Sequence, residues 1–472
     1  MRKVLAYGVI AGLAIGGASL AALQGPPAQG APAGQAPGGA GGRGGAGGRG
    51  GGQPQGPTGP PLIPAPPYKA GIPEKAPVDT VITNVRIVVG TGQVIENGHI
   101  TVRGGKIAEV AAGAPASTQG LRVLNAQGLT AMPGFIDGHK HLNDGYQAEA
   151  QGRSLLEAGY TTILVSGQAQ NSAMLADRVN KMEINGPRII PSGAVNLRQT
   201  PAEARAQVQM LASMGIKNTA EIGLTPEPAP PQAEVETLRA IVDEAKKVGI
   251  QVNIHAVSTP AMMAATDVGV TREVHLPNKD FTSFDDAEKI AKSGTIVAGL
   301  IAFGAPIIDR DSPPPAGCPQ PCAGSVIFPR DNSPRFRTGM PWPDSIAGPN
   351  RDAKGRALGT ELAYEIYNAR RIWEADPMHG DISWSTDQNY ADTVVLEHEL
   401  KSFSIVFSMA DIARIMGPNS ARFVGMENEI GTLEVGKRAD LILQSGNPTE
   451  NIYGLLTVKL TMKDGRIVND KR

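Results

Sequence analysis

His139 and His141, separated by Lys140, have the spacing of two metal ligands on one strand. Side chains alternate between the two faces of a strand, so both imidazoles share a face about 6–7 Å apart and Lys140 points away. Each imidazole can bind a divalent ion at about 2.0–2.1 Å. The pair predicts part of a metal site, and the alternative is a pair of core histidines satisfied by hydrogen bonds.

Further candidate ligands lie at the ends of other predicted strands. The chain has seven histidines, and two more of them, together with two carboxylates, end or nearly end such strands. These residues are Glu221, His255, His275 and Asp387. Four imidazoles and two carboxylates meeting at one point suit two borderline divalent cations, and zinc is the ion we expect.

The strands that carry these four residues share a pattern of polar and apolar faces. Gln251 and Asn253 lie on the face of His255, and Ser383 and Ser385 lie on the face of Asp387. By the same alternation, Glu273 shares the face of His275 and Thr219 shares that of Glu221. A parallel strand buried on both faces should be almost wholly apolar. We therefore expect the polar rows to point into a barrel and to end at its C-terminal mouth.

The elements that must position these residues alternate between strand and helix from 131 to 425. Apolar residues recur at helical spacing from Val235 to Val248, Gly249 ends that helix, and a strand leads to His255. Thr259 and Pro260 have the pattern of a helix cap followed by the first turn. Repeated βα units over this length predict an α/β fold of the TIM-like (β/α)8 type.

Short strands separated by glycine turns flank this alternating region. They are predicted at 81–89, 99–103 and 106–110, and again at 439–443, 458–462 and 466–468. The two ends, 78–130 and 426–472, are therefore expected to form one small β-sandwich domain.

The sequence resembles the amidohydrolase superfamily, in particular its imidazolonepropionase-like and prolidase-like branch. The segments that carry the resemblance are 133–141 (PGFIDGHKH), 156–162 (LEAGYTT), 186–193 (GPRIIPSG), 254–256 (IHA), 273–275 (EVH), 385–387 (STD) and 430–441 (IGTLEVGKRADL). Together they extend from about Val81 to Val468, most of the chain after the N-terminal region.

The resemblance implies a role for each candidate ligand. His139, His141 and Asp387 would bind one metal ion, and His255 and His275 would bind a second. Asp387 would also accept the proton of the attacking water. The family often bridges the ions with a carboxylated lysine, whereas this chain has Glu221 at that position, so a site with one ion stays open.

The expected activity is hydrolysis of a C–N bond other than an ordinary peptide bond, in a cyclic amide or a dipeptide-like amide. The alternatives are hydrolysis of an ester, lactone or phosphotriester by the same metals, and a barrel that binds a small molecule without turning it over. Ser166 stands where the branch usually has an Asp. Ser166, Asn143 and Gln388 are candidate substrate contacts, and His379 is either a further contact or a loop residue without a role.

The first 77 residues are not expected to belong to the fold. A short basic start followed by an uncharged apolar run predicts a signal peptide at 1–23, with an uncleaved membrane anchor as the alternative. Residues 24–77 are rich in Gly and Pro and are expected to form a disordered linker. Export predicts a periplasmic or extracellular enzyme with no membrane span after cleavage.

Composition limits the partners. The 472 residues carry 44 Lys and Arg against 45 Asp and Glu, a balance that argues against a nucleic-acid partner. We expect a small-molecule substrate and a possible homo-oligomer.

A Pro- and Gly-rich insertion at 303–356 predicts a lid over the site. The insertion contains both cysteines, and in an oxidising compartment Cys318 and Cys322 would form a disulfide bond.

Overall fold

A computed structural model describes residues 73–142, 146–167, 169–301, 307–309, 325–327, 358–387 and 392–472. These residues belong to one compact unit, Gln55–Arg472, and the other unit, Met1–Pro54, lies outside the described residues. The predicted signal peptide, nearly all of the linker, both cysteines and most of the proposed lid also lie outside them. Within the described ranges, every helix is too short or too polar to cross a lipid bilayer.

The structure contains eighteen strands in the described residues. In chain order they are β1 (Thr80–Val88), β2 (Val94–Arg103), β3 (Lys106–Ala112), β4 (Arg122–Asn125), β5 (Thr130–Pro133), β6 (Phe135–Lys140), β7 (Tyr160–Val165), β8 (Arg188–Ile190), β9 (Ile222–Gly223), β10 (Asn253–His255), β11 (Arg272–Val274), β12 (Ile296–Gly299), β13 (Ile307–Asp309), β14 (Ser325–Ile327), β15 (Ile382–Trp384), β16 (Leu441–Gln444), β17 (Val458–Lys463) and β18 (Arg466–Asp470).

The helices of the described residues lie mostly between the central strands. They are α1 (Tyr146–Ala158), α2 (Ala169–Asn180), α3 (Pro201–Ser213), α4 (Gln232–Val248), α5 (Thr259–Asp267), α6 (Phe284–Ser293), α7 (Leu358–Ala375), α8 (Asp392–Phe403), α9 (Met409–Arg414) and α10 (Ser420–Phe423). A π-helical turn, Ile415–Asn419, joins α9 to α10, and a 3₁₀ turn spans Ile452–Leu456.

The two ends of the chain build one eight-stranded sheet. Its order is β18-β17-β16-β5-β1-β2-β3, and β4 pairs with β1. The junction lies at β5, which is parallel to β1 on one side and antiparallel to β16 on the other. Apolar side chains from both ends, including Ile87, Ile100, Leu441 and Leu460, form a single core. The small β domain therefore requires both ends of the chain.

Tight glycine turns allow this sheet to pack closely on itself. Asp464 and Gly465 both have positive φ, 50° and 71°, in the two-residue turn between β17 and β18. A Cβ on Gly465 would lie 2.6 Å from the Cα of Gly105, which belongs to the turn between β2 and β3. The two turns touch, so a side chain at Gly465 would separate them.

The central strands have the order of a TIM-like barrel. Hydrogen bonds form two parallel sheets, β6-β7-β8 and β9-β10-β11-β12-β15. A parallel bridge between Gly193 and Thr219 joins β8 to the β9 side. On the other side, the N–H of Asp387 donates to the carbonyl oxygen of His139 at 2.9 Å. The eight strands therefore follow one another around a ring, with helices between them, as the sequence pattern predicts.

Helix signals in the sequence correspond closely to the helices of the structure. The apolar spacing from Val235 to Val248 forms α4, which ends at Gly249 with φ 71°. The prediction that Thr259 caps α5 was wrong by one residue. The cap is Ser258, whose hydroxyl accepts the N–H of Ala261, so Thr259 is the first helical residue.

Apolar side chains fill the ring below the polar residues. Ile136, Leu164, Val274 and Ala298 pack there against Phe423 of α10. A Cβ on Gly138 would lie 2.9 Å from the Phe423 ring, so the chain needs a glycine between Asp137 and His139. This packing leaves the C-terminal ends of the strands as the place where polar groups can gather.

Candidate metal centre

The six predicted ligands lie in or beside five strands. His139 lies in β6 and His141 follows its last residue, while His255 ends β10. His275 directly follows β11, and Asp387 lies three residues after β15. Glu221 directly precedes the short strand β9. The structure brings all six side chains together, in two groups of potential metal ligands.

The first group consists of His139, His141, Glu221 and Asp387. Oδ1 of Asp387 lies 3.0 Å from Nε2 of His139 and 3.0 Å from Nε2 of His141. Glu221 completes the group, with Oε1 at 3.4 Å from Nε2 of His141. Two atoms bound to one tetrahedral zinc ion lie roughly 3.3 Å apart, so these separations fit ligands around a single ion.

The second group consists of Glu221, His255 and His275. Oε2 of Glu221 lies 2.8 Å from Nδ1 of His255 and 3.3 Å from Nε2 of His275. The two imidazole rings have centroids 4.4 Å apart. Glu221 belongs to both groups and offers a different oxygen to His141 and to His255, so its carboxylate lies between the two groups.

Electrostatics keep Glu221 in its charged form. Burial alone would raise the pKa of its carboxyl group. The charge of His139 and hydrogen bonds from His141, His255 and His275 outweigh burial and hold the pKa well below its usual value. A carboxylate surrounded by imidazoles is a donor set suited to a borderline divalent ion, so the residues fit the predicted metals.

Backbone conformation at two ligands departs from the strand geometry assumed in the sequence analysis. His275 has φ 73° and Asp387 has φ 54°, in the left-handed region that non-glycine residues rarely adopt. Such a residue costs on the order of 1–3 kcal/mol and persists where its surroundings hold it. Both ligands therefore turn toward the site at the point where their strands end.

This turn explains one wrong prediction. Glu273 was expected to share the inward face of His275, but its Oε1 accepts the hydroxyl of Thr266 in α5 at 3.4 Å, on the helix side of β11. Burial raises the pKa of Glu273 well above its usual value. Simple alternation fails here because the positive φ of His275 reverses the side-chain direction.

The candidate substrate contacts have different outcomes. Asn143 and Gln388 lie outside the described residues. Ser166 is buried beside the site, where its hydroxyl accepts the N–H of Glu221 at 3.3 Å and its own N–H donates to the carbonyl of Lys140. Ser166 thus holds the backbone of a ligand. His379 stacks on Trp373, with ring centroids 4.8 Å apart, and lies before β15, away from the ligands.

Sequence reasoning missed three polar residues behind the ligands. Asp137, Lys140 and Thr386 are each at most 1% exposed and contact one another. Burial raises the pKa of Asp137, although the nearby charge of Lys140 opposes this shift. The available signal was the presence of two charged residues, Asp137 and Lys140, in a strand whose six residues are all buried.

Comparison with known proteins agrees with this arrangement. The model of the amidohydrolase family matches residues 130–468. N-acyl-D-aspartate deacylase of Alcaligenes xylosoxydans xylosoxydans is 30% identical over 200 residues, 41% of this chain and 39% of the deacylase. Imidazolonepropionase of Caldanaerobacter subterraneus subsp. tengcongensis is 29% identical over 132 residues, 28% of this chain and 30% of that enzyme. The chain thus spans less than half the length of either relative.

A solved structure shows the same fold. A protein from Bifidobacterium longum assigned as a prolidase superposes with a TM-score of 0.67 over 84% of this chain and 97% of its own, at 22% identity. Because the family model covers well over half of the residues, including all six candidate ligands, the chain belongs to the amidohydrolase family.

Proposed function

We propose that this chain is a metal-dependent hydrolase that cleaves the C–N bond of a small non-peptide substrate, a cyclic amide or a dipeptide-like amide. The observation that carries the proposal is the position of Glu221, whose two oxygens face His141 and His255 in separate ligand groups. Family membership supports the same reaction class.

Two divalent cations, which we propose to be zinc, would be held in these groups. His139, His141 and Asp387 would hold one ion, His255 and His275 would hold the other, and Glu221 would lie between them. Such ions make water more acidic and polarise a substrate carbonyl. The four imidazoles favour zinc over magnesium or calcium, which prefer oxygen ligands.

Asp387 is the residue that we propose moves the proton. Its carboxylate is 7% exposed and lies 3.0 Å from two imidazoles, at the end of a strand that faces the mouth. It would accept a proton from the attacking water and later give it to the departing nitrogen, as a general base and then a general acid. His139 and His141 orient the carboxylate for both steps.

The decisive experiment combines metal analysis with a substrate panel. Purified protein loaded with Zn²⁺ should bind the ion stoichiometrically and hydrolyse at least one member of a set of cyclic amides, N-acyl amino acids and Xaa-Pro dipeptides. Turnover of only lactones or phosphotriesters would replace the amide assignment with the second activity. Bound metal with no turnover of any class would favour a binding protein.

We also propose that the enzyme is exported and acts in the periplasm or outside the cell. The basic start and the apolar run that follows it support a signal peptide at 1–23. Expression of the full chain, cell fractionation and N-terminal sequencing of the mature product test this proposal. A mature protein that retains Met1 and stays with the membrane would indicate an anchor.

A further inference from the structure

A buried polar cluster directly behind the ligands has no part in the mechanism proposed above. Its members are Asp137 and Lys140 of β6 and Thr386, which follows β15. Asp137 and Lys140 are 0% exposed and Thr386 is 1% exposed. Burial of a carboxylate and an ammonium group is costly unless both are paired and hydrogen-bonded, so their presence here needs an explanation.

Hydrogen bonds link the three side chains in series. Nζ of Lys140 donates to Oγ1 of Thr386 at 3.0 Å, and Oγ1 of Thr386 donates to Oδ2 of Asp137 at 2.6 Å. The hydroxyl thus accepts from the ammonium group and donates to the carboxylate. A hydroxyl is suited to this place because it can do both at once.

The other oxygen of Asp137 holds the main chain on both sides of the contact. Oδ1 accepts the N–H of His139 at 3.0 Å and the N–H of Thr386 at 3.2 Å. The first of these residues is a candidate ligand, and the second directly precedes the candidate ligand Asp387. The carboxylate of Asp137 therefore fixes its own strand and a backbone segment 249 residues farther along the chain.

A main-chain hydrogen bond continues the same contact toward the ligands. The N–H of Asp387 donates to the carbonyl oxygen of His139 at 2.9 Å. With the backbone of both residues fixed, the 3.0 Å separation of their side chains follows from local geometry. The positive φ of Asp387 is kept by the same contacts, because the N–H groups of both Thr386 and Asp387 are held by β6.

We propose that Asp137, Lys140 and Thr386 act as a clamp that positions Asp387 against His139 and His141 and thereby sets the affinity for the ion bound there. This inference rests on the proposed function, since it assumes that Asp387, His139 and His141 are metal ligands. Lys140 supplies the positive charge that allows the carboxylate of Asp137 to stay buried. Thr386 links the end of β15 to β6 through its hydrogen bonds with Lys140 and Asp137.

The test compares three variants by their affinity for Zn²⁺. Thr386→Val keeps the shape of the side chain and removes the hydroxyl, Thr386→Ser keeps the hydroxyl, and Ser385→Ala is the matched control. Ser385 is the adjacent buried hydroxyl, but it donates to the carbonyl of Gly299 in β12 rather than to a side chain of the clamp. Affinity is measured by competition with a chromophoric chelator on the full chain, with circular dichroism as a check of folding.

Loss of a residue that orients a metal ligand typically weakens metal binding about 10–100-fold. We expect a loss of this size in Thr386→Val and affinities near wild type in Thr386→Ser and Ser385→Ala. If two ions bind, the loss should fall mainly on the ion held by His139, His141 and Asp387, because the clamp holds the main chain of His139 and of Thr386, next to Asp387. Kinetically, Thr386→Val at saturating zinc should lower kcat with little change in KM, measured with the amide that the wild type turns over fastest.

Two results would overturn the clamp. One is wild-type zinc affinity in Thr386→Val, and the other is an equal loss in Ser385→Ala, which would indicate a general packing effect. A wild-type protein that binds no divalent ion would instead refute the proposed function itself, and the clamp with it. The three outcomes are distinguishable because the first two require a wild type that binds zinc.

Discussion

Oε2 of Glu221 lies 2.8 Å from Nδ1 of His255, and these two residues belong to neighbouring strand ends of the barrel. Among the contacts of Glu221 with the four imidazoles this is the shortest, the others being 3.3, 3.4 and 3.6 Å. The carboxylate is therefore drawn toward the second ligand group while it still reaches the first.

Replacing Glu221 with glutamine tests the bridging position. The amide is neutral, so it removes the negative charge between the two groups, and we expect Glu221→Gln to retain fewer zinc ions per chain than the wild type. Hydrolysis should fall at least about 100-fold, since the proposed reaction would use both ions. Elemental analysis after dialysis gives the stoichiometry. Glu227→Gln, an exposed carboxylate on the following loop, is the control, and equal zinc content in both variants would contradict the assignment.

Asp387→Asn separates proton transfer from folding. The amide keeps the shape and one oxygen but cannot act as a base, so turnover should fall about 100- to 10,000-fold while the melting temperature stays near that of the wild type. Steady-state kinetics and zinc analysis of the same preparation provide the comparison. Near wild-type turnover would remove Asp387 from its proposed role.

Gly223 leaves room beside the metal ligands. It is paired with His255 and lies two residues beyond Glu221, on the same face of the strand, about 6–7 Å farther along. No atom of the described residues lies within 4 Å of the position where its Cβ would be. We expect Gly223→Ala and then Gly223→Val to raise KM progressively, most for bulky substrates, with zinc content unchanged. Loss of zinc, or an equal effect on small and large substrates, would show that this space does not receive the substrate.

An ion-pair network joins the barrel to the small β domain. Arg188 of β8 contacts Asp440 and Asp464, each at 2.6 Å, and its side chain is 13% exposed. Arg188→Met should lower the free energy of unfolding by about 3 kcal/mol, because it removes the positive charge beside the buried carboxylate of Asp440. Asp464 keeps its ion pairs with Arg438 and Arg466. Denaturant titration measures the change. Lys292→Met, which breaks an exposed pair with Glu288, serves as the control and should have no comparable effect.

Asp381 should make stability depend on pH. Burial raises its pKa to about 7, with the nearby charge of Asp376 adding to the shift and Arg422 opposing it. The folded state therefore holds a proton that the unfolded state releases near pH 4. The stabilisation that this proton gives to the folded state is full at low pH and is lost as the pH rises toward 7. Asp381→Asn should lack this loss. Melting temperatures of both proteins from pH 5 to 8 test the prediction. If the two plots of melting temperature against pH have the same shape, the prediction is contradicted.

Local patterns in the sequence predicted that the six candidate residues lie together, as they do in the structure. Strand alternation places His139 and His141 on one face and links Asn253 with His255. They failed at Glu273, since no pattern indicates that His275 adopts a positive φ. They also missed the contact of Asp137 with Thr386, because residues 249 positions apart meet only once the ring of strands has formed. The resemblance to a family added the expected roles of Asp387 and Glu221, which strand alternation alone does not give.

Strand β5 lies between β1 and β16, so residue 133 finds its neighbour at 441 only after the whole barrel sequence has been made. Until then one edge of β5 has no strand to pair with and can attract other chains. The sheet that begins with β1 is therefore completed only when β16, near the C-terminus, has been translated. A stop codon shortly before Leu441 should yield aggregates rather than a smaller soluble enzyme, even though every proposed ligand would be present.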